Sequence, residues 1–136
     1  MTVFFDTNLL AYQFDDAEPT RQARARQVFL ESASEAVVST QVLLELHAVL
    51  TRKLGRSRAQ ARQVLDALEL DVVPADASLV RRAARTADEH ALSIFDAMVL
   101  EAAVLAGCSE LWTEDLSHGS SLRGVRVVNP FRADGQ

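Results

Sequence analysis

Four carboxylates of this 136-residue chain stand where the side-chain pattern changes character. Asp6 ends the apolar run Val3-Phe4-Phe5, and Asp115 follows Leu111-Trp112-Thr113 with Glu114 beside it. Glu45 lies in Gln41-Val42-Leu43-Leu44-Glu45-Leu46, and Asp96 in Ser93-Ile94-Phe95-Asp96-Ala97-Met98-Val99. Each has an ordinary use. An Asp after a strand forms turns or caps a helix. Two acids after a strand make a solvated turn. Ser93-x-x-Asp96 matches a capping box whose acid also suits the helix dipole. On a helix, Glu45 falls about 40° from Val49 at 100° per residue, on a surface with no clean polar face, so it is partly enclosed. Convergence would turn these acids to chemistry. Carboxylates gathered in one pocket cannot all stay ionised near neutral pH without compensation. A divalent cation supplies it, and oxygen-only donors favour Mg²⁺ or Mn²⁺.

The elements that must position them alternate between strand and helix periods. Strands are predicted at Val3-Phe4-Phe5, at Ala36-Val37-Val38-Ser39, briefly at Val72-Val73, at Glu110-Leu111-Trp112-Thr113 and at Val125-Arg126-Val127-Val128. Helices are predicted over residues 19–32, opened by Pro19, and 41–54, capped by Thr40 and stopped by Gly55. Further helices are predicted over 58–70 behind the Ser57/Gln60 capping box, over 75–91, and over 94–106, begun by Ser93 and ended by Gly107. Residues 116–124 read as a Ser/Gly-rich loop. Strands alternating with helices imply an α/β fold: a three-layer, doubly wound parallel sheet with helices on both faces. Ligands in that architecture sit beyond the carboxyl ends of the strands. Asp6 and Asp115 follow strands, Asp96 starts a helix and Glu45 lies about one turn into one, so all four map to that end.

The length fits one domain spanning residues 1–136, with no repeat or linker to divide it. A chain of about this size buries roughly two-thirds of its unfolded surface, so no disulfide is needed. Cys108 is the only cysteine, which excludes a disulfide framework or a cysteine zinc site within one chain. No apolar stretch approaches the ~20 residues of a membrane span, and the N-terminus lacks the pattern of a signal peptide. The expectation is a soluble protein of a reducing cytoplasm. The net charge of −5 hides an asymmetry, since residues 20–62 carry eight basic and three acidic side chains. Such a distribution suggests a basic face beside an acidic one, or simply solvated helices. His47, His90 and His118 share no ligand spacing and are assigned to packing or surface. Phe4, Phe5, Phe29 and Phe95 are assigned to the core, which leaves no stacking platform for single strands in evidence.

Assembled, these segments resemble the PIN-domain ribonucleases, specifically the VapC-like toxins of type II toxin–antitoxin systems, over nearly the whole chain. Phe4-Phe5-Asp6-Thr7-Asn8-Leu9-Leu10 resembles the family's opening strand with its first metal-site Asp. Gln41 to Leu46 resembles the segment carrying the Glu, Leu92-Ser93-Ile94-Phe95-Asp96-Ala97-Met98-Val99 the third acidic segment, and Leu111-Trp112-Thr113-Glu114-Asp115-Leu116-Ser117-His118-Gly119 the fourth. Residues 125–131, ending Asn129-Pro130-Phe131, resemble the closing strand. Met98 stands where Leu is more usual, and no acid of the pattern is missing.

The resemblance implies a metal-dependent endoribonuclease using Mg²⁺ or Mn²⁺, a homodimer, and an antitoxin whose tail crosses the active-site groove and places a cation there. Asp6 and Asp96 are then the main metal ligands, with Asp115 completing the cluster and Glu45 either a ligand or an orienter of metal-bound water. Whether Glu114 assists or replaces Asp115 stays open. Thr7, Asn8 and Thr113 either hydrogen-bond the carboxylates or hold the scissile phosphate. Arg21, Arg24, Arg52, Lys53 and Arg56 are candidates for the RNA backbone. Leu9, Leu10, Tyr12 and Phe14 are expected near the entrance, as apolar support for the antitoxin. Two rivals stand beside this reading. One is a non-catalytic interaction module whose acids only cap helices. The other is a haloacid-dehalogenase-like phosphotransferase, which needs a second Asp where this chain has Asn8 and a phosphate-binding lysine, of which Lys53 is the only one present.

Overall fold

A computed structural model describes residues 2–132. Six strands form one sheet: β1 (Val3–Phe5), β2 (Ala36–Ser39), β3 (Asp71–Val73), β4 (Glu110–Trp112), β5 (Ser121–Leu122) and β6 (Val125–Val128), in the order β3-β2-β1-β4-β6-β5. β1 lies parallel to both β2 and β4, pairing Phe4 with Val37 on one side and with Leu111 on the other. Its residues Val3, Phe4 and Phe5 are fully enclosed, as expected of a short apolar run covered on both faces. The helices are α1 (Thr7–Ala11), α2 (Pro19–Ser32), α3 (Thr40–Arg52), α4 (Arg58–Ala67), α5 (Ala77–His90) and α6 (Ile94–Leu105). They fall into two groups, with α1 to α4 packed on one another and α5 packed on α6. Val42, Leu46 and Leu50 of α3, and Ala97 to Ala103 of α6, fill the core between helices and sheet. Among the described residues no helix is long and apolar enough to cross a membrane.

The α/β reading holds, with a departure at one edge. β5 runs antiparallel to β6, within residues read from sequence as loop. Leu122 pairs with Val125 across the two-residue turn Arg123-Gly124, both at positive φ (52° and 79°), the hairpin geometry that matches strand twist. Arginine in that conformation is held by its side chain. The guanidinium forks onto Glu101 of α6, Nε to Oε2 at 3.0 Å and Nη2 to Oε1 at 3.2 Å, and Thr86 of α5 donates to the same carboxylate at 2.9 Å. Burial alone would raise the Glu101 carboxyl. The bonds from Arg123 and Thr86 outweigh it and hold the group below its ordinary value. Removing Arg123 strands a charge that is only 2% exposed. Arg123→Ala is therefore expected to lose about 2 kcal/mol in urea unfolding, below the usual cost of breaking a buried pair because Arg123 itself is half in water.

Several local expectations are corrected. Ser39, not Thr40, caps α3 by accepting from the Val42 amide, because Thr40 is already helical and its hydroxyl accepts from the Ala75 amide. Leu9 and Leu10 do not lie at an entrance: on α1 they are 1% and 0% exposed and belong to the core. Phe95 does not belong to the core: its side chain stands 65% exposed at the start of α6. A helix apolar on every side gives no sequence signal of which residue faces out.

Candidate active site

Parallel strands deliver their following residues to one edge, and the chain leaves β1 toward β2 on one side and β4 on the other. The crevice between β1 and β4 is thus a topological switch point, where such sheets bind ligands. Asp6 and Asp115 come from the ends of β1 and β4. Glu45 is brought there by α3, which begins directly after β2.

Asp6 is almost fully buried and N-caps α1. Its Oδ1 accepts from the Thr7 amide at 2.7 Å and its Oδ2 from the Thr113 hydroxyl at 2.7 Å. Burial pushes this carboxyl from its usual 3.8 up to about 6. The hydrogen bonds from Thr113 and Thr7 oppose the rise, and the charges of Asp115 and Glu45 add to it. Thr113 also accepts from the Asp115 amide at 3.1 Å, so one buried hydroxyl ties the two acids together. Asp115 itself accepts from Asn8 Nδ2 at 3.1 Å. Burial first, then the charges of Glu114 and Asp96, raise its pKa, while the hydrogen bond from Asn8 offsets part of that. Glu45 is held from two sides, by the Thr7 hydroxyl at 2.8 Å and by Gln41 Nε2 at 2.8 Å.

A cavity of about 340 Å³ opens over this network, with Asp6, Asn8, Glu45 and Asp115 on one wall and Tyr12 and Lys53 on others. Asp96 does not line it. It sits in the first turn of α6, near enough for its charge to act on Asp115. Ser93 Oγ accepts from the Asp96 amide at 3.1 Å, but the returning half of a capping box is not made. By contrast, Ser57 and Gln60 complete both halves on α4. Among the described residues the Asp96 carboxylate accepts no hydrogen bond and pairs with no cation.

Glu114 is occupied elsewhere. It accepts from the Tyr12 hydroxyl at 2.6 Å and pairs with Arg21 at 3.5 Å, while the Arg21 guanidinium also lies 5.6 Å from the Tyr12 ring centre. Burial and Glu114 together raise the Tyr12 phenol above its ordinary range. Arg24 donates to the Pro130 carbonyl at 2.8 Å, and Arg56 to the Phe14 carbonyl at 2.9 Å. Arg52 is exposed at the end of α3. His118 accepts from the Asn129 amide and so bears on loop structure. Sequence reasoning did not single out Gln41 or the Tyr12–Glu114 contact. The four-residue spacing of Gln41 and Glu45 on a helix was the available signal for the first.

The donor set at this edge is carboxylate, hydroxyl and amide oxygen, which suits a hard divalent cation. Asn8 Oδ1 and Gln41 Oε1, beside Asp115 and Glu45, are buried without a partner. No Lys or Arg among the described residues pairs with Asp6, Glu45, Asp96 or Asp115. Nor do any three acidic, His or Cys side chains among those residues close around one point as an all-protein cage. Mg²⁺ does not require one, since it keeps several waters and takes only one or two carboxylates. The residues therefore fit such an ion.

Several solved structures share this fold. VapC20 of Mycobacterium tuberculosis, described as a Sarcin-Ricin loop cleaving toxin, is 21% identical with a TM-score of 0.71, covering 84% of this chain and 92% of its own. A toxin–antitoxin complex from Klebsiella pneumoniae is 20% identical with a TM-score of 0.70, covering 95% and 98%. FitAcB from Neisseria gonorrhoeae is 19% identical with a TM-score of 0.66, covering 97% and 100%. No curated protein matches the sequence significantly. The PIN domain profile matches residues 3–118, which takes in all four acids and the strands that carry them, and the chain belongs to the PIN domain family.

Proposed function

We propose that this chain is a metal-dependent endoribonuclease and the toxin of a toxin–antitoxin pair, a single PIN-like domain over residues 1–136 acting in the cytoplasm. The observation that carries the reading is the uncompensated acidity of the β1/β4 crevice, where Asp6, Glu45 and Asp115 meet with Asp96 alongside and no side-chain cation among the described residues pairs with any of them. Asp6, Asp115 and Asp96 would hold Mg²⁺ or Mn²⁺, with Glu45 as a further ligand or facing its water. Bound there, the ion supplies a nucleophilic water and charge stabilisation at the phosphodiester.

The chain's own groups do the positioning. Thr113 fixes Asp6 relative to Asp115, Thr7 and Gln41 fix Glu45, and Asn8 turns Asp115. Glu114, engaged by Tyr12 and Arg21, assists by holding that wall and does not replace Asp115. RNA as substrate is supported by the family and by the description of VapC20 as a loop-cleaving toxin; an antitoxin partner is supported by the complexes among the structural relatives. A homodimer accords with the large exposed side chains of Leu44 and Phe95. Arg21, Arg24, Arg52, Lys53 and Arg56 would follow the RNA backbone.

The test is cleavage of single-stranded RNA by purified, antitoxin-free protein. Cleavage should appear with Mg²⁺ or Mn²⁺ and stop with chelator. Loss of the reading follows if RNA survives with either ion, or if a phosphomonoester is hydrolysed instead.

A further inference from the structure

A second cavity, of about 410 Å³, adjoins the acidic one, and the two share Asp15, Lys53 and Leu54 as walls. Its other walls include Phe14, Gly55, Arg56 and Gln60. We propose that this second cavity is a nucleotide subsite, in which Lys53 binds the phosphate next to the cleaved bond; this rests on the ribonuclease reading and names where its substrate strand runs.

The charges decide the assignment. Of the acids here, Asp16 lies 4.0 Å from Arg56 and accepts from Gln22 at 2.9 Å, and Asp15 is buried with Oδ1 on the Ala17 amide. Arg56 is anchored as well, by the Phe14 carbonyl, with its guanidinium 6.0 Å from the Phe14 ring centre. Lys53 differs. It is the chain's only lysine, it is exposed, and no carboxylate among the described residues pairs with it, although it stands between two cavities lined by acids. Its backbone is fixed as the C-cap of α3, its amide bonded to the Val49 carbonyl, so the exposed side chain extends from an anchored base. An anionic strand entering the acidic cavity meets strong repulsion there. A cation at the shared wall gives its neighbouring phosphate a partner, and the Phe14–Arg56 pair gives the nucleotide a flat, partly apolar wall.

The experiment uses single-stranded RNA oligonucleotides carrying one neutral methylphosphonate linkage, moved stepwise past the cleaved bond. With parent protein, one linkage beside the cut should raise KM roughly tenfold with kcat little changed, the loss of one charge-assisted contact. Lys53→Gln should raise KM by a similar factor on the unmodified strand, and that linkage should then have no further effect. The slope of log affinity against log salt should also fall by about 0.7, as for one phosphate on a single strand. A merely structural lysine would not move that slope. Additive effects at every linkage, or an unchanged KM and slope in Lys53→Gln, overturn the subsite while leaving cleavage by the parent intact. If the parent cleaves nothing, the ribonuclease reading falls. Anisotropy of the same labelled strands then judges the subsite by the same comparison.

Discussion

Asp6→Asn is expected to reduce metal-dependent RNA cleavage roughly 10³-fold or more, and at the same time to stabilise the chelator-treated protein above pH 6. The first effect follows from removing a charge aimed at the reacting centre from a nearly water-free position. The second follows from the raised pKa of Asp6. Its folded value of about 6 against 3.8 unfolded means that the native state holds the proton more tightly. Between about pH 4 and pH 6 the folded protein therefore carries more protons than the unfolded chain, and stability falls as pH rises through that window. Two units correspond to about 3 kcal/mol at most, and the loss is complete above pH 6.

Asn removes that slope. Its side-chain oxygen can keep the Thr7 amide, and its NH₂ can donate to Thr113, whose hydroxyl accepts as readily as it donates. A net gain of about 1–2 kcal/mol near pH 7 is expected from urea unfolding. Adding Mg²⁺ should reverse the order, because an ion at a hundred times its dissociation constant stabilises the parent by about 2.7 kcal/mol and has a weaker site in the variant. A parent protein without a falling limb between pH 4 and 6, or an Asn variant that cleaves at the parental rate, would contradict this account.

Five of the six strands were legible because each is an apolar run bounded by a turn former or a cap, and strand polarity then predicted one edge for four distant acids without any coordinates. The helices were legible where caps are explicit, as with Ser57/Gln60 and Ser93. Helix α1 was not, since five residues are too few to show a period; it exists because Asp6 caps it and Leu9 and Leu10 bury against the core. Strand β5 was hidden by its turn, which puts arginine in a conformation that favours glycine and recovers the cost through a carboxylate 22 residues away. Within the site, Asp6 and Asp115 and the neighbouring hydroxyls Thr7 and Thr113 were readable from adjacency to strand ends, and Glu45 and Asp96 from their places near helix starts. The engagement of Glu114 by Tyr12 was not, because contacts 102 residues apart leave no local trace. Basic residues were the least legible. Composition shows a positive stretch, but only packing shows Arg24 and Arg56 turned onto backbone carbonyls and Lys53 left at the cavity wall.

Asp96→Asn separates a catalytic acid from a structural one. If Asp96 served α6 as the acid of a capping box, its side chain would accept from the Ser93 amide, and removing its charge would cost stability. That bond is absent, and the cap is made by Ser93 alone. Asp96→Asn should therefore shift the melting temperature little, since it loses only a dipole interaction of about 0.3–1 kcal/mol and relieves repulsion with Asp115. Ser93→Ala, which removes the cap, should lose about 0.5–2 kcal/mol. Activity should respond in the opposite order. Asp96→Asn is expected to lower cleavage by roughly 10²-fold or more and to demand higher Mg²⁺, because an anion beside Asp115 is lost, whereas Ser93→Ala should retain most cleavage below its melting point. The two variants, compared by thermal melts and by Mg²⁺ titration of RNA cleavage, give crossed outcomes. An Asp96→Asn protein that melts early yet cleaves normally would return Asp96 to the role of a helix-start residue and leave the ion to Asp6, Asp115 and Glu45.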